Sequence, residues 1–168
     1  DLIRLAYLAA GFANMDINPQ KSFLFFQKAK KAADDIWFRA KCDFAIGKLY
    51  ETLGNEEKAK SFFYQSISAF DSIKNQESAN YTLYSLSEIM IEEHAYDSAK
   101  FFLEALKVNA HKFDNKYDFV RAELLDWKIL MEKKDYEEGL LLLDSLETVY
   151  QKAGLPKSVV EEILFAKT

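Results

Sequence analysis

The stretch Ile46-Gly47-Lys48-Leu49-Tyr50-Glu51-Thr52-Leu53-Gly54-Asn55-Glu56-Glu57-Lys58-Ala59-Lys60-Ser61-Phe62-Phe63 decides the fold of this chain. Apolar residues recur at three- and four-residue spacing on both sides of Leu53-Gly54-Asn55, the mark of two amphipathic helices joined by a short polar turn. Gly47 before the turn and Ala59 after it are small, and Phe63 and Ser66 follow Ala59 at four and seven residues. Small side chains opposite large ones let two helices approach closely, so the stretch predicts a helix–turn–helix pair.

Outward from this pair the pattern repeats. Asn18-Pro19-Gln20-Lys21-Ser22, Ala95-Tyr96-Asp97-Ser98-Ala99 and Asp135-Tyr136-Glu137-Glu138-Gly139 superimpose on Asn55–Ala59. The closing small residues Ser22, Ala59, Ala99 and Gly139 stand 37, 40 and 40 positions apart. Phe26, Leu103 and Leu143 follow as Phe63 does, and Ala29, Leu106 and Leu146 as Ser66 does. With seams at Asp34-Asp35, Lys74–Glu77 and Phe113–Lys116, the breaks predict four units at 3–36, 37–76, 77–115 and 116–154, built from about nine helices of roughly 12–19 residues. Gly154 and Pro156 read as a stop and a restart. Residues 156–168 are then either a capping helix or the first helix of a truncated fifth unit, whose apolar side invites self-association.

Composition agrees. Only 5 Gly and 2 Pro occur in 168 residues, beside 14 Phe, 9 Tyr and 2 Trp, which disfavours disorder, collagen and a many-turned β-sandwich. Cys42 is alone, so no intramolecular disulfide is available, and the compartment stays open between the cytoplasm and the extracytoplasmic part of a larger protein. No apolar run approaches the ~18 residues of a membrane span, which predicts no direct membrane insertion. The chain opens at Asp1, inside an apolar helical pattern, as a piece excised from a longer protein would. A net charge of -5 argues against a nucleic-acid binder that works by neutralising phosphates.

The repeat resembles the tetratricopeptide repeat, a helix–turn–helix unit that pairs a large residue, a small residue and a Tyr on its first helix with small and aromatic residues on its second. Ile46-Gly47, Tyr50, Ala59 and Phe63 match best. Leu83, Leu86, Ser87, Met90 and Ala99 fill those slots in the third unit, Ala9-Ala10, Ala13, Ser22 and Phe26 in the first, and Leu130, Tyr136, Gly139 and Leu143 in the fourth. The usual early Trp and late Pro are absent, and a period of about 40 rather than 34 residues is similar to the longer variants of kinesin light chains and bacterial signalling regulators. Longer second helices are expected to hold the extra residues. In the fourth unit Asp126 stands in a large slot and Trp127 in a small one, which predicts a rotated or shifted helix.

The resemblance implies an all-α solenoid wound as a right-handed superhelix, with first helices lining a concave groove. It also implies that the second, fifth and ninth residues of each unit point into that groove. Counted from Ile3, Ala40, Asn80 and Val120, these are Arg4, Lys41, Tyr81 and Arg121; Tyr7, Phe44, Tyr84 and Leu124; and Gly11, Lys48, Glu88 and Lys128, with Glu51, Glu92 and Glu132 on the far edge. Bases interleaved with aromatic rings suit a peptide or partner domain bearing acidic and apolar side chains. The alternative is a solvated charged face with rings packed on the next helix. The expected role is protein interaction, as the recognition or sensory part of a signalling or regulatory protein, with a structural or oligomerisation spacer as the alternative. No enzyme chemistry and no cofactor are expected. His94 near Glu92, Glu93 and Asp97, and His111 near Asp114 and Asp118, lack the dense spacing of a metal motif. Cys42 reads as a buried small hydrophobe, and Lys28, Lys30 and Lys31 as complements to a helix dipole.

Overall fold

A computed structural model describes residues 2–153, with side chains to Thr148. Among them lie eight α-helices and no strand: α1 Leu2–Ala13, α2 Pro19–Lys31, α3 Ile36–Thr52, α4 Glu56–Ser72, α5 Gln76–Glu92, α6 Tyr96–Lys112, α7 Lys116–Glu132 and α8 Tyr136–Ala153. The fold is an all-α array of helical repeats. Two compact units divide it, residues 1–82 and 83–168, with the boundary inside α5. The segment 156–168, with its expected cap or fifth unit, lies outside the described residues.

From α3 onward each helix starts 20 residues after the last, and α3 to α7 are all 17 residues long. The extra length over a 34-residue repeat is thus shared by both helices of a pair rather than held by the second. From α3 onward a three-residue link joins each helix to the next. Its middle residue takes a positive φ: Gly54 66°, Lys74 55°, His94 58°, Asp114 50° and Lys134 66°. The residue after it sends its N–H back five positions, as in Asn55 to the Tyr50 carbonyl and Asn75 to the Phe70 carbonyl, both within 2.9 Å. This closes the orphan carbonyls of the finished helix. The same residue opens the next helix. Asn55, Asn75 and Asn115 accept from the backbone N–H of Lys58, Ser78 and Asp118 at 3.1–3.2 Å, each an N-cap.

Within residues 1–82, Gly11 and Gly47 receive the rings of Phe26 and Phe63. A Cβ on either glycine would stand 2.3 or 2.4 Å from the ring's Cε1, so nothing larger fits without moving a buried phenylalanine. The two glycines are therefore equivalent and lie 36 positions apart, whereas Phe26 and Phe63 lie 37 apart. Helix α1 is thus one residue out of the register counted from Ser22, a rotation of about 100°.

Within residues 83–168 the expected shift of α7 is absent. Its buried residues Asp118, Val120, Ala122, Leu125 and Ile129 repeat Phe38, Ala40, Cys42, Ala45 and Leu49 of α3 80 positions later. Size is exchanged instead: Trp127 replaces the glycine, Leu143 replaces the phenylalanine, and a Cβ on Gly139 would stand 3.2 Å from Met131 Sδ and 3.5 Å from the indole Cδ1. Asp126 does not face the core as a large residue would. It pairs with Lys107 of α6, which also meets Glu123 at 3.0 Å. Burial pulls this ammonium down, but Asp126 and then Glu123 outweigh it, and Lys107 titrates above the ordinary lysine value.

Candidate functional site

Within residues 1–82 Trp37, Lys41 and Phe44 recur at i, i+4 and i+7 on α3 and so share one face. Leu8 and Phe12 of α1 and Glu77, Ser78 and Tyr81 of α5 meet that face, over a floor that includes Phe70 of α4. Together they enclose an open cavity of about 560 Å³. The Trp37 indole N–H donates to Ser78 Oγ at 3.0 Å, tying α3 to α5. Phe44 leans on Phe63, with ring centroids 5.8 Å apart, and Phe70 packs between Ala40 and Ala79. The Lys41 ammonium lies 4.5 Å from the Trp37 ring centroid and makes no ion pair among the described residues. The cavity can therefore take an apolar side chain beside a carboxylate.

The residues expected to share one face separate into groups. Lys41, Phe44 and Tyr81 line the cavity. Arg4 and Tyr7 do not, because of the one-residue rotation of α1, which brings Leu8 and Phe12 there instead. The Arg4 guanidinium meets Asp35 Oδ2 at 2.5 Å and lies 4.7 Å from the Phe38 centroid. Asp35 is held below the usual carboxylate range, first by the Phe38 backbone N–H and then by Arg4. Tyr7 packs against Ala29, Ala33, Phe38 and Cys42, and Gly11 is filled by Phe26. Lys48 is paired with Glu51 one turn along α3.

Within residues 83–168 Tyr84, Glu88 and Arg121 come together. The Arg121 guanidinium stacks 3.6 Å from the Tyr84 centroid and 5.3 Å from that of Tyr117. Burial, and then the charge of Glu88, push the Tyr84 hydroxyl up to about 12, against the opposing charge of Arg121. Leu124 packs on Val120, Leu143 and Leu146. Lys128 is half-buried.

The other side-chain clusters have local partners. His94 Nδ1 lies 2.9 Å from the Tyr96 hydroxyl, which donates to Glu132 at 2.9 Å; that bond raises the Tyr96 hydroxyl above its ordinary value. Among the described residues no group of three or more His, Cys, Asp or Glu side chains is arranged to hold a metal. Asp118 is buried and accepts from Asn115 Nδ2 at 2.9 Å, which ties it to the α7 cap. Cys42 is fully buried, and burial followed by the charge of Asp43 pushes its thiol up to about 12. Lys30 pairs with the buried Asp43, and Lys28 lies 5.7 Å from the Tyr7 centroid. Among the described residues no helix is long and apolar enough to cross a membrane.

Trp37, Phe70, Glu77 and Ser78 entered no expectation for the site. The spacing of Trp37, Lys41 and Phe44 was available as a signal, whereas Phe70 reaches the cavity only through the packing of α4. No protein-family model matches the chain, and no curated protein is similar enough to stand as its relative.

Proposed function

We propose that the chain is a protein-interaction module of the tetratricopeptide class, acting by binding without chemistry as the recognition part of a larger regulatory protein. Its ligand is a peptide segment that places an apolar side chain in the α1–α3–α5 cavity and a carboxylate on Lys41. The observation that carries this is a cavity with five aromatic rings and one cation, Lys41, that makes no ion pair among the described residues. Rings give rigid contact area at low entropy cost, and the cation adds salt-dependent selectivity for acidic over basic segments. The acidic balance of the chain favours a protein partner over nucleic acid.

Peptides selected by display against residues 1–168 test it by calorimetry. Lys41→Ala should weaken them about fivefold and flatten their salt dependence, and Tyr81→Ala should weaken them without changing that dependence. Selected peptides indifferent to both substitutions and to salt would refute the proposal. A second reading, a structural or oligomerisation spacer, is favoured by Phe101 and Leu141, which are 72 % and 69 % exposed on α6 and α8. It predicts concentration-dependent sedimentation that Phe101→Glu abolishes. The self-association expected through the C-terminal helix falls outside the described residues.

A further inference from the structure

Helix α1 turns Leu2, Ala6, Ala9 and Ala13 to solvent. With Gly11 set on Gly47, these are the counterparts of Phe38, Cys42, Ala45 and Leu49 of α3, all of which are buried. Leu2 is 83 % exposed where Phe38 is 2 %. On α3 the preceding hairpin covers that face: Phe38 and Cys42 pack with Ala29 and Ala33, and Ala45 and Leu49 with Phe26. Helix α7 buries the same positions as Asp118, Ala122, Leu125 and Ile129. A helix that ends a stack turns polar residues outward. The one charged residue of α1 is Arg4, and it is engaged with Asp35.

We infer that the outward face of α1 is an internal packing face, covered by a further helical hairpin of this repeat class that is joined ahead of α1 in the same polypeptide. That hairpin stacks on α1 as α1 and α2 stack on α3. The occupant follows from continuity with the α2–α3 interface. The exposed positions are those that α3 offers to the helix linked to it through the chain. Three alanines also call for large side chains opposite, which a helix of the α2 type supplies at the slot of Phe26 and a second copy of α1 does not. None of the four residues lines the peptide cavity, so the inference stands apart from the proposed function.

Three proteins test it by amide hydrogen exchange and sedimentation: the 168-residue chain, the same chain with a copy of residues 1–36 fused ahead of Asp1, and the polypeptide expressed from its full reading frame. The fusion sets Leu2 as far along the chain from the added Ala33 as Phe38 is from the native one. Exchange across α1 should slow at least about tenfold in both longer proteins. Ala9→Arg should cancel that slowing and leave exchange in the 168-residue chain unchanged. Equal exchange of α1 in all three would overturn the inference. So would a dimer of the unextended chain that Ala9→Arg dissociates, since the face would then belong to a second copy.

Discussion

Replacing Gly47 by alanine puts the repeat's packing rule under direct test. A Cβ at this position stands 2.4 Å from Phe63 Cε1, 2.5 Å from Cδ1 and 3.2 Å from Cζ, so the ring must retreat by about 1 Å to restore van der Waals contact. Phe63 has no exposed surface, so the ring can retreat only by displacing other buried side chains. Overpacking of this kind costs about 1–3 kcal/mol, and so close an approach falls at the upper end. Alanine in a helix interior returns about 1 kcal/mol over glycine. The expected net loss is then about 2 kcal/mol, in the opposite direction from helix propensity. Leu143, at the position of Phe63 in the unit where Trp127 replaces the glycine, indicates the remedy. Phe63→Leu alone should cost less than the ~3–5 kcal/mol of truncation to alanine, and the double variant should be at least about 1 kcal/mol more stable than the two losses added together. Urea unfolding followed by circular dichroism measures all four corners of the cycle. A Gly47→Ala protein as stable as its parent, or a double variant in which the losses simply add, would refute the close-approach argument.

Three further outcomes are expected. Lys74→Gly and Lys134→Gly should each raise the unfolding free energy measured in urea by about 0.5–1 kcal/mol, since a left-handed L-residue costs about 1–2 kcal/mol and glycine's extra entropy takes back part of the gain; Gly54→Ala should lower it. Lys30→Ile leaves Asp43 buried without its cation and should cost about 2–3 kcal/mol, whereas Lys30→Ile with Asp43→Leu, which copies Ile67 and Leu83 at the corresponding positions, should return close to the parent. Burial raises the Asp43 carboxyl, and Lys30 opposes the rise, so stability falls as pH climbs from the ordinary value of 3.8 through the raised one. Lys30→Ile should steepen that fall in midpoints measured between about pH 4 and 8. The Cys42 thiol should ignore a disulfide reagent in the native protein at neutral pH and react once urea unfolds it, because it is inaccessible and its thiolate is disfavoured; rapid native labelling would contradict its placement.

The helical hairpins were legible in the residues because their determinants are local. A turn at Leu53-Gly54-Asn55, a small residue at Ala59 and a ring at Phe63 lie within one pair of helices, and copies at about 40-residue spacing confirm one another. The equal 17-residue helices were less visible, since left-handed Lys74, His94, Asp114 and Lys134 look like ordinary surface residues until their φ is known. The site was legible only in part. Of the residues counted on α3 and α5, Lys41, Phe44 and Tyr81 share one cavity, whereas Lys48 pairs with Glu51.

In α1 the same count failed by one residue, because the path between Gly11 and Phe26 is one residue shorter than that between Gly47 and Phe63, and a turn can absorb the difference without leaving a mark in the hydrophobic pattern. One residue is about 100° of helix, enough to carry Arg4 and Tyr7 away from the cavity and bring Leu8 and Phe12 into it. Sequence alone therefore determined which segments are helical and that they pair through small-against-large contacts, as periodicity and side-chain volume are properties of the chain itself. Only the tertiary structure decided the phase of each helix against its neighbours. Phase is set where rings meet glycines across 15 or 16 residues, and with it came which cations pair with carboxylates, as Lys48 does with Glu51, and which, like Lys41 over Trp37, make no ion pair among the described residues.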